Sequence, residues 1–251
     1  MFGALRHGYA TLVDALAAGA DVRLSTTVRS VARRADGWRL VLGPGQGVLD
    51  VDAVVLAVPA PAVARLLADV APVAARAAGA IELASSVVIA LAYREADTAT
   101  LPATSGVLVA ADEPLSIKAA THSARKWPHL ASSATDGLVR LRVSLGRFGE
   151  AAALQVDDSE LVARARADLA ALAGITAAPV AAYVQRWGGG LPQYAVGHLD
   201  RVRAIEDGVA AMAGLAVTGA ALHGVGVPAC VGTARAAAER VAAQLVAVPA
   251  G

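Results

Sequence analysis

The chain has 251 residues, of which 56% are hydrophobic and 17% charged, with 22 Lys and Arg against 21 Asp and Glu for a formal net charge of +1. That composition excludes a disordered chain and can bury one large core or two small ones. With no basic block or Lys/Arg-rich helix it gives no footing for a nucleic-acid partner, so neutral small molecules or apolar anions fit better.

The opening stretch places Leu12, Val13, Leu16 and Ala17 at helical spacing, with Gly19 as a stop and DVRLS (21–25) as a short strand. TVRSVARR, an Asp36-Gly37 turn, WRLVL, a GPGQG turn and VLDVDAVVLAVP then predict a three-stranded antiparallel meander. Its last strand is apolar from Ala53 to Val58 and so runs inside a sheet, and the helix APAVARLLADV follows.

From about Ala77 the texture changes to SSVVIALAY, SGVLVAA, SIKAATHS and LVRLRVSL, alternating segments that predict an antiparallel sheet as a second layer or domain. DSELVARARADLAALA (158–173) reads as an amphipathic helix capped by Asp158 or Ser159, and AAYVQRW as a strand before a Gly-Gly-Gly turn. A helix over 199–211 leads to the strand GLAV, a glycine-rich turn and a second helix, TARAAAERVAAQLV.

Residues 208–234 hold no charged side chain, yet Ala and Gly dominate and Thr218, His223 and Pro228 interrupt. This reads as a buried strand and helix rather than a membrane span. The single Cys230 cannot form an intramolecular disulfide and reads as a small buried hydrophobe. With no secretory n-region or cleavage site at the start, the expected compartment is the reducing cytoplasm.

The turn VTGAALHGVGVP (217–228) carries most of the chemistry. Gly224 and Gly226 allow backbone to approach a ligand closely, and Pro228 suits the first turn of a helix whose N-terminus welcomes an anionic or electron-rich group. A dinucleotide site also needs G-x-G-x-x-G between a strand and a helix, and neither GPGQG nor GVG meets it. His7, His122, His129, His198 and His223 share no ligand spacing, so no metal site is predicted. No G-x-S-x-G supports a nucleophilic serine, and no catalytic side chain is assigned.

Four segments resemble the oxygen-dependent protoporphyrinogen and coproporphyrinogen III oxidases, within the wider flavin amine oxidase fold. They are TLVDALAAGADVRLSTTV, the strand end AVVLAVPAP, KAATHSARKWP (118–128), and RWGGGLPQYAVGHLDRV joined to GLAVTGAALHGVGVPACVGTARAAAERV. The resemblance runs from Gly8 to Leu245 but matches only the C-terminal portion of a usual member, without the N-terminal strand and glycine fingerprint that cradle the FAD pyrophosphate.

The fold implied is α/β (α+β): an incomplete FAD-binding Rossmann-like domain over 1–76 and 197–251, and a mainly antiparallel-sheet substrate domain over 77–196. The function implied is FAD-dependent oxidation of coproporphyrinogen III or protoporphyrinogen IX to the porphyrin, with O2 as acceptor and H2O2 as product, in haem biosynthesis. The partners implied are the porphyrinogen, O2, and a missing N-terminal half or a second copy.

By the same resemblance Val28 offers its backbone to the adenine, and Ala57, Val58 and Pro59 lie against the ribityl or pyrophosphate portion. Gly219, Ala220, Gly226, Val227 and Pro228 hold the ribityl chain and the pyrimidine edge, while Trp187 and Tyr194 wall the flavin or macrocycle cavity. Lys118, Lys126 and Arg186 meet the propionates of the substrate. His198 is expected to satisfy a backbone group rather than shuttle protons. Two other readings use the same residues. One is an amine oxidase- or desaturase-like flavoenzyme, against which LPQY and KAAT…KWP argue. The other is a non-catalytic fragment or a module binding haem, porphyrin or a partner protein, which the missing cradle favours.

Overall fold

A computed structural model describes residues 3–127, 129–130 and 137–246. Pro128, the last residue of KAATHSARKWP, lies outside the described residues. The chain forms two compact units, one of residues up to 22 with 84–190 and the other of 23–83 with 191 onward. The domain boundaries read from the sequence, 76/77 and 196/197, thus fall at 83/84 and 190/191, and residues before 23 group with the sheet-rich unit.

The unit built on 23–83 and 191 onward starts with a three-stranded antiparallel meander, β1 (Val28–Arg34), β2 (Gly37–Leu42) and β3 (Val48–Val51). Strand β4 (Val54–Leu56) does not continue it. β4 pairs in parallel with β10 (Leu215–Val217), in the register Leu215↔Val54, Ala216↔Val55, Val217↔Leu56. The single strand predicted over 48–59 therefore splits at Asp52-Ala53, where alternation in VLDV gives way to a continuous apolar run, the pattern of a parallel strand. Gly214 makes the join, with φ +73° and its carbonyl accepting the Val54 N–H at 2.7 Å.

Helices α2 (Ala60–Leu67) and α3 (Pro72–Gly79) follow β4. The helix predicted over 60–70 ends at Leu67, and α3, which the pattern did not predict, begins at Pro72 in its first turn. With α6 (His198–Ala210) they cover one core containing Trp38, Leu56, Leu67, Ile205 and Leu215. Trp38 is fully buried and its indole N–H donates to the Ala213 carbonyl at 3.1 Å, so β2 is tied to the chain just before β10. The last helix, α7 (Val227–Val246), packs Ala237 and Val241 onto Ala216.

The other unit is a five-stranded sheet of order β6-β7-β8-β5-β9, from β5 (Leu83–Arg94), β6 (Gly106–Leu108), β7 (Ile117–His122), β8 (Leu138–Leu145) and β9 (Ala181–Pro192). All four alternating segments read from the sequence are strands. Their odd positions, Val87, Ile89, Leu91 and Tyr93 of β5 with Leu141, Val143 and Leu145 of β8, face helix α5 (Asp158–Ala173) and its Leu161, Ala165 and Leu169. The cap of α5 is Asp157, with no side-chain cap bond, and Gly174 ends it in the left-handed region at φ +67°. Gly188, Gly189 and Gly190 make no turn: β9 runs through them to Pro192, kinked at Gly189 where φ is +57°. The Gly189 N–H finds Ser85 Oγ at 3.0 Å.

Helix α1 (Ala10–Ala17) buries none of its residues, and 21–25 is not a strand. Val22 and Leu24 are exposed and Ser25 sits at φ +54°. The apolar alternation is there, but among the described residues no strand lies beside it, and an extended segment without a ladder leaves its N–H and C=O groups to water.

Candidate functional site at the ends of two parallel strands

Because β4 and β10 are parallel and in register, the residues after them leave the sheet side by side. Ala57, Val58 and Pro59 follow Leu56, while Thr218, Gly219 and Ala220 follow Val217, and the Thr218 N–H donates to the Leu56 carbonyl at 2.9 Å. The carboxyl ends of adjacent parallel strands form the crevice in which open α/β sheets take ligands. Eight of the ten residues assigned to the cofactor, all but Val28 and Trp187, follow these two strands or stand at the start of the helix behind them.

Pro59 begins α2 with φ −56° and ψ 151°, which turns the chain from strand to helix. Gly219 has φ +118° and open space where a Cβ would stand, so backbone is accessible to a ligand there. Gly226 and Pro228 bracket the start of α7, whose first N–H groups have no partner within the helix.

The turn is anchored from behind by Thr233 in the second turn of α7. Its hydroxyl accepts from Thr218 Oγ1 at 2.8 Å and from the Gly219 N–H at 3.4 Å, and donates to the Cys230 carbonyl at 3.0 Å. Cys230 is half-buried rather than fully buried, its thiol 3.7 Å from the Gly224 carbonyl. A cleft of about 420 Å³ opens between α6 and α7, lined by Val217, Leu222, His223 and Thr233 among others. Val28 stands at the start of β1, opposite Leu42, with its carbonyl accepting from Arg65 at 3.1 Å.

Tyr194 and His198 hold the turn from the other side. Their rings stack with centroids 4.0 Å apart and planes at 14°. The Tyr194 hydroxyl donates to the Ala220 carbonyl at 2.5 Å and His198 Nε2 to the Leu222 carbonyl at 2.9 Å. The expectation for His198 therefore holds. Burial pushes the Tyr194 phenol above its ordinary pKa, opposed by the Gly224 backbone amide. His223, also near the turn, pairs with Glu206 at 2.7 Å.

The charged residues assigned to substrate fall in the other unit. Lys118 sits at a bulge in β7 and donates to the Gly146 carbonyl at 2.6 Å, its pKa lowered by burial and by Arg147. Lys126 stands 5.5 Å from the Trp127 ring in the short helix α4 (Ser123–Lys126). Arg186 donates to the Leu154 and Val156 carbonyls at 2.6 and 2.7 Å and to Asp158 at 2.5 Å, bracing the start of α5 on the core side of the sheet. Three hydrogen bonds from the two terminal nitrogens of the guanidinium brace this part of the chain.

The opposite, solvated face of that sheet carries Trp187 together with two arginines, Arg140 and Arg142, that no motif singled out. Val184 packs on the core side, so Tyr183 and Trp187, both more than half exposed, stand on the solvated one. There Arg142 lies between Ala90 and Thr121, and Arg140 beside Ala92. Arg94 shares the face, and none of the outward residues of β5, β7 and β8 is acidic. The signal was legible in LVRLRVSL, where the two arginines alternate with the core leucine and valine.

The family model described as flavin-containing amine oxidoreductase matches residues 1–242. The chain belongs to that family. A Mycobacterium leprae protein named coproporphyrinogen III oxidase is 42% identical over 98% of this chain and 52% of its own length. One of the same name from Mycobacterium bovis is 44% identical over 96% of this chain and 51% of its own. A crystal structure from Exiguobacterium sp. 255-15, provisionally named a protoporphyrinogen oxidase, superposes with a TM-score of 0.82 at 28% identity, covering 97% of this chain and 52% of that one. The chain spans about half the length of the relatives it matches. No helix among the described residues is long and apolar enough to cross a membrane.

Proposed function

We propose that this chain carries the C-terminal portion of an FAD-dependent porphyrinogen oxidase of haem biosynthesis, acting on coproporphyrinogen III in the cytoplasm with O2 as acceptor. The observation that carries this reading is the likeness to the mycobacterial coproporphyrinogen III oxidases, which extends through both units and 96–98% of the chain. The residues present fit the cofactor: Gly219 leaves room for backbone approach, and Ala57–Pro59 and Gly226–Pro228 border the same strand ends. Bound FAD supplies hydride acceptance from the macrocycle and return of the electrons to O2 as H2O2.

Around it the chain's own residues orient and hold. Val28, Ala57, Val58 and Pro59 are the contacts proposed for the adenosine and pyrophosphate side, and Gly219, Ala220, Gly226, Val227 and Pro228 for the ribityl chain and pyrimidine edge. The positive end of α7 favours negative charge on the reduced ring. Trp187 gives a flat wall on the sheet face where Arg140 and Arg142 stand, and guanidinium groups over a floor of Ala90 and Ala92 match the carboxylates of a flat substrate. Lys118 and Lys126 are assigned to the same carboxylates.

The test is the visible spectrum of the purified chain, with and without added FAD. Flavin bands at about 375 and 450 nm that survive desalting support the reading. Oxidation of coproporphyrinogen III then appears as porphyrin fluorescence, and Arg142→Ala is expected to raise KM about tenfold with kcat little changed. A colourless chain that neither retains FAD nor does so with an N-terminal half supplied overturns the proposal in favour of a non-catalytic module.

A further inference from the structure

We infer that Tyr194 and His198 act together as a positioning clamp that sets the backbone of the 219–226 turn. The inference rests on the flavin reading only for what that turn serves. The two side chains lie one helical turn apart, on the loop that enters α6 and on its first residue, where Gly197 at φ +79° reverses the chain. Each spends its polar atom on the same target: Tyr194 on the Ala220 carbonyl, His198 on the Leu222 carbonyl.

A carbonyl only accepts, so Nε2 of His198 carries the hydrogen. Its other ring nitrogen, Nδ1, is buried and has no partner among the described residues, and the whole residue is only 7% exposed. A leucine or phenylalanine would fill the space without sealing a bare nitrogen from water, which is costly. What the histidine adds is the one donor aimed at Leu222.

The consequence follows from the planarity of the peptide. Fixing a carbonyl fixes the N–H on the other side of the same plane. Pinning Ala220 and Leu222 therefore orients the amides of Ala221 and His223, in the middle of the turn. Thr233 does the same for Gly219 from the opposite side, so the segment is gripped at both ends.

Amide hydrogen exchange of the full chain, read on the peptide covering 218–226, tests the clamp without cofactor. Tyr194→Phe and His198→Phe, which keep the stack and delete one donor each, are expected to speed exchange there about tenfold, with β5 and β8 unchanged as internal controls. His198→Gln, which places an amide donor near the Nε2 position, is expected to restore most of the protection. In flavin titration His198→Phe is expected to raise the FAD dissociation constant about tenfold and to alter the circular dichroism of the bound flavin.

Unchanged exchange in both phenylalanine variants overturns the clamp, as does a glutamine variant no better than phenylalanine. Faster exchange with unaltered FAD affinity overturns its positioning role. If the wild-type chain binds no FAD even with an N-terminal half supplied, the oxidase reading falls while the exchange result still decides the clamp. Tyr194, which is 44% exposed, supplies a variant that keeps the fold if His198→Phe does not.

Discussion

Thr233→Val is the substitution that most directly asks whether the turn after β10 is held from behind. Valine matches threonine in volume, so no cavity opens and the change is one of hydrogen bonds alone. Three bonds are lost, at 2.8, 3.0 and 3.4 Å. They do not weigh equally. The Cys230 carbonyl faces the next turn of its own helix, and the longest bond is weak. Thr218, however, is buried, and its hydroxyl would be left with no acceptor. An unsatisfied buried hydroxyl costs ~1–3 kcal/mol, which puts the single variant at about 2 kcal/mol and, for a chain of this size, a Tm lower by roughly 4–8 °C. The double variant Thr218→Val/Thr233→Val removes both partners and should recover most of that loss, because replacing a bonded pair by apolar groups of the same shape is nearly neutral. Urea denaturation of the four proteins gives the coupling directly. A single variant within ~0.5 kcal/mol of wild type, or a double variant as unstable as the sum of the two, would refute the anchoring role.

Other outcomes follow from the same geometry. Tyr93→Phe should stabilise the chain by about 1 kcal/mol in thermal melts, since the Tyr93 hydroxyl is buried with no partner among the described residues and burial already raises its pKa; a destabilised variant would show an unrecognised acceptor. Gly214→Ala should cost at least ~1–2 kcal/mol, because φ is +73° and a Cβ would meet the Asp52 carbonyl oxygen at 2.9 Å; loss of the β4–β10 pairing would appear as faster exchange of the Val54 amide. For Tyr194 the folded-state pKa lies above the ordinary value of 10, so the folded chain holds a proton that the unfolded chain releases. Its contribution to stability is complete below pH 10 and is lost as pH rises above it, and the difference between wild type and Tyr194→Phe in denaturant melts should shrink over that range; a difference independent of pH would count against the shift.

What could be read from the sequence was whatever a local pattern determines. The period of two in SSVVIALAY and LVRLRVSL fixed β5 and β8 and which of their faces is core, because strand side chains alternate regardless of neighbours. The strand, glycine turn and proline-started helix around 217–228 were likewise legible. What escaped depends on distant chain. Nothing near Asp52 announces that Val54–Leu56 pair with Leu215–Val217, some 160 positions later. Arg186 looked like a free cation because its three acceptors come from residues 154–158. Nothing beside Tyr194 announces that its acceptor is Ala220, 26 residues on. In each case the residue type was informative and the partner was not.

The same distinction explains why the strand predicted at DVRLS fails while the one at GLAV succeeds. Both are short apolar runs between turn signals, and neither is stable alone. GLAV finds β4 beside it, Trp38 and Arg240 bonded to the carbonyls of Ala213 and Leu215, and α7 packed on Ala216. Residues 21–25 find no ladder among the described residues, and Leu24 is left 83% exposed. A run with a strand's alternation in its sequence forms a strand only where a neighbouring strand supplies the ladder, and here Leu24 and Ser25 turn instead, with Ser25 at φ +54°. That makes 21–25 a further readout of the N-terminal complementation experiment. Supplying the family's N-terminal half should protect the amides of Val22 and Leu24 from exchange, and if it restores FAD binding while leaving those amides exchanging freely, the strand reading of DVRLS is wrong rather than unfulfilled.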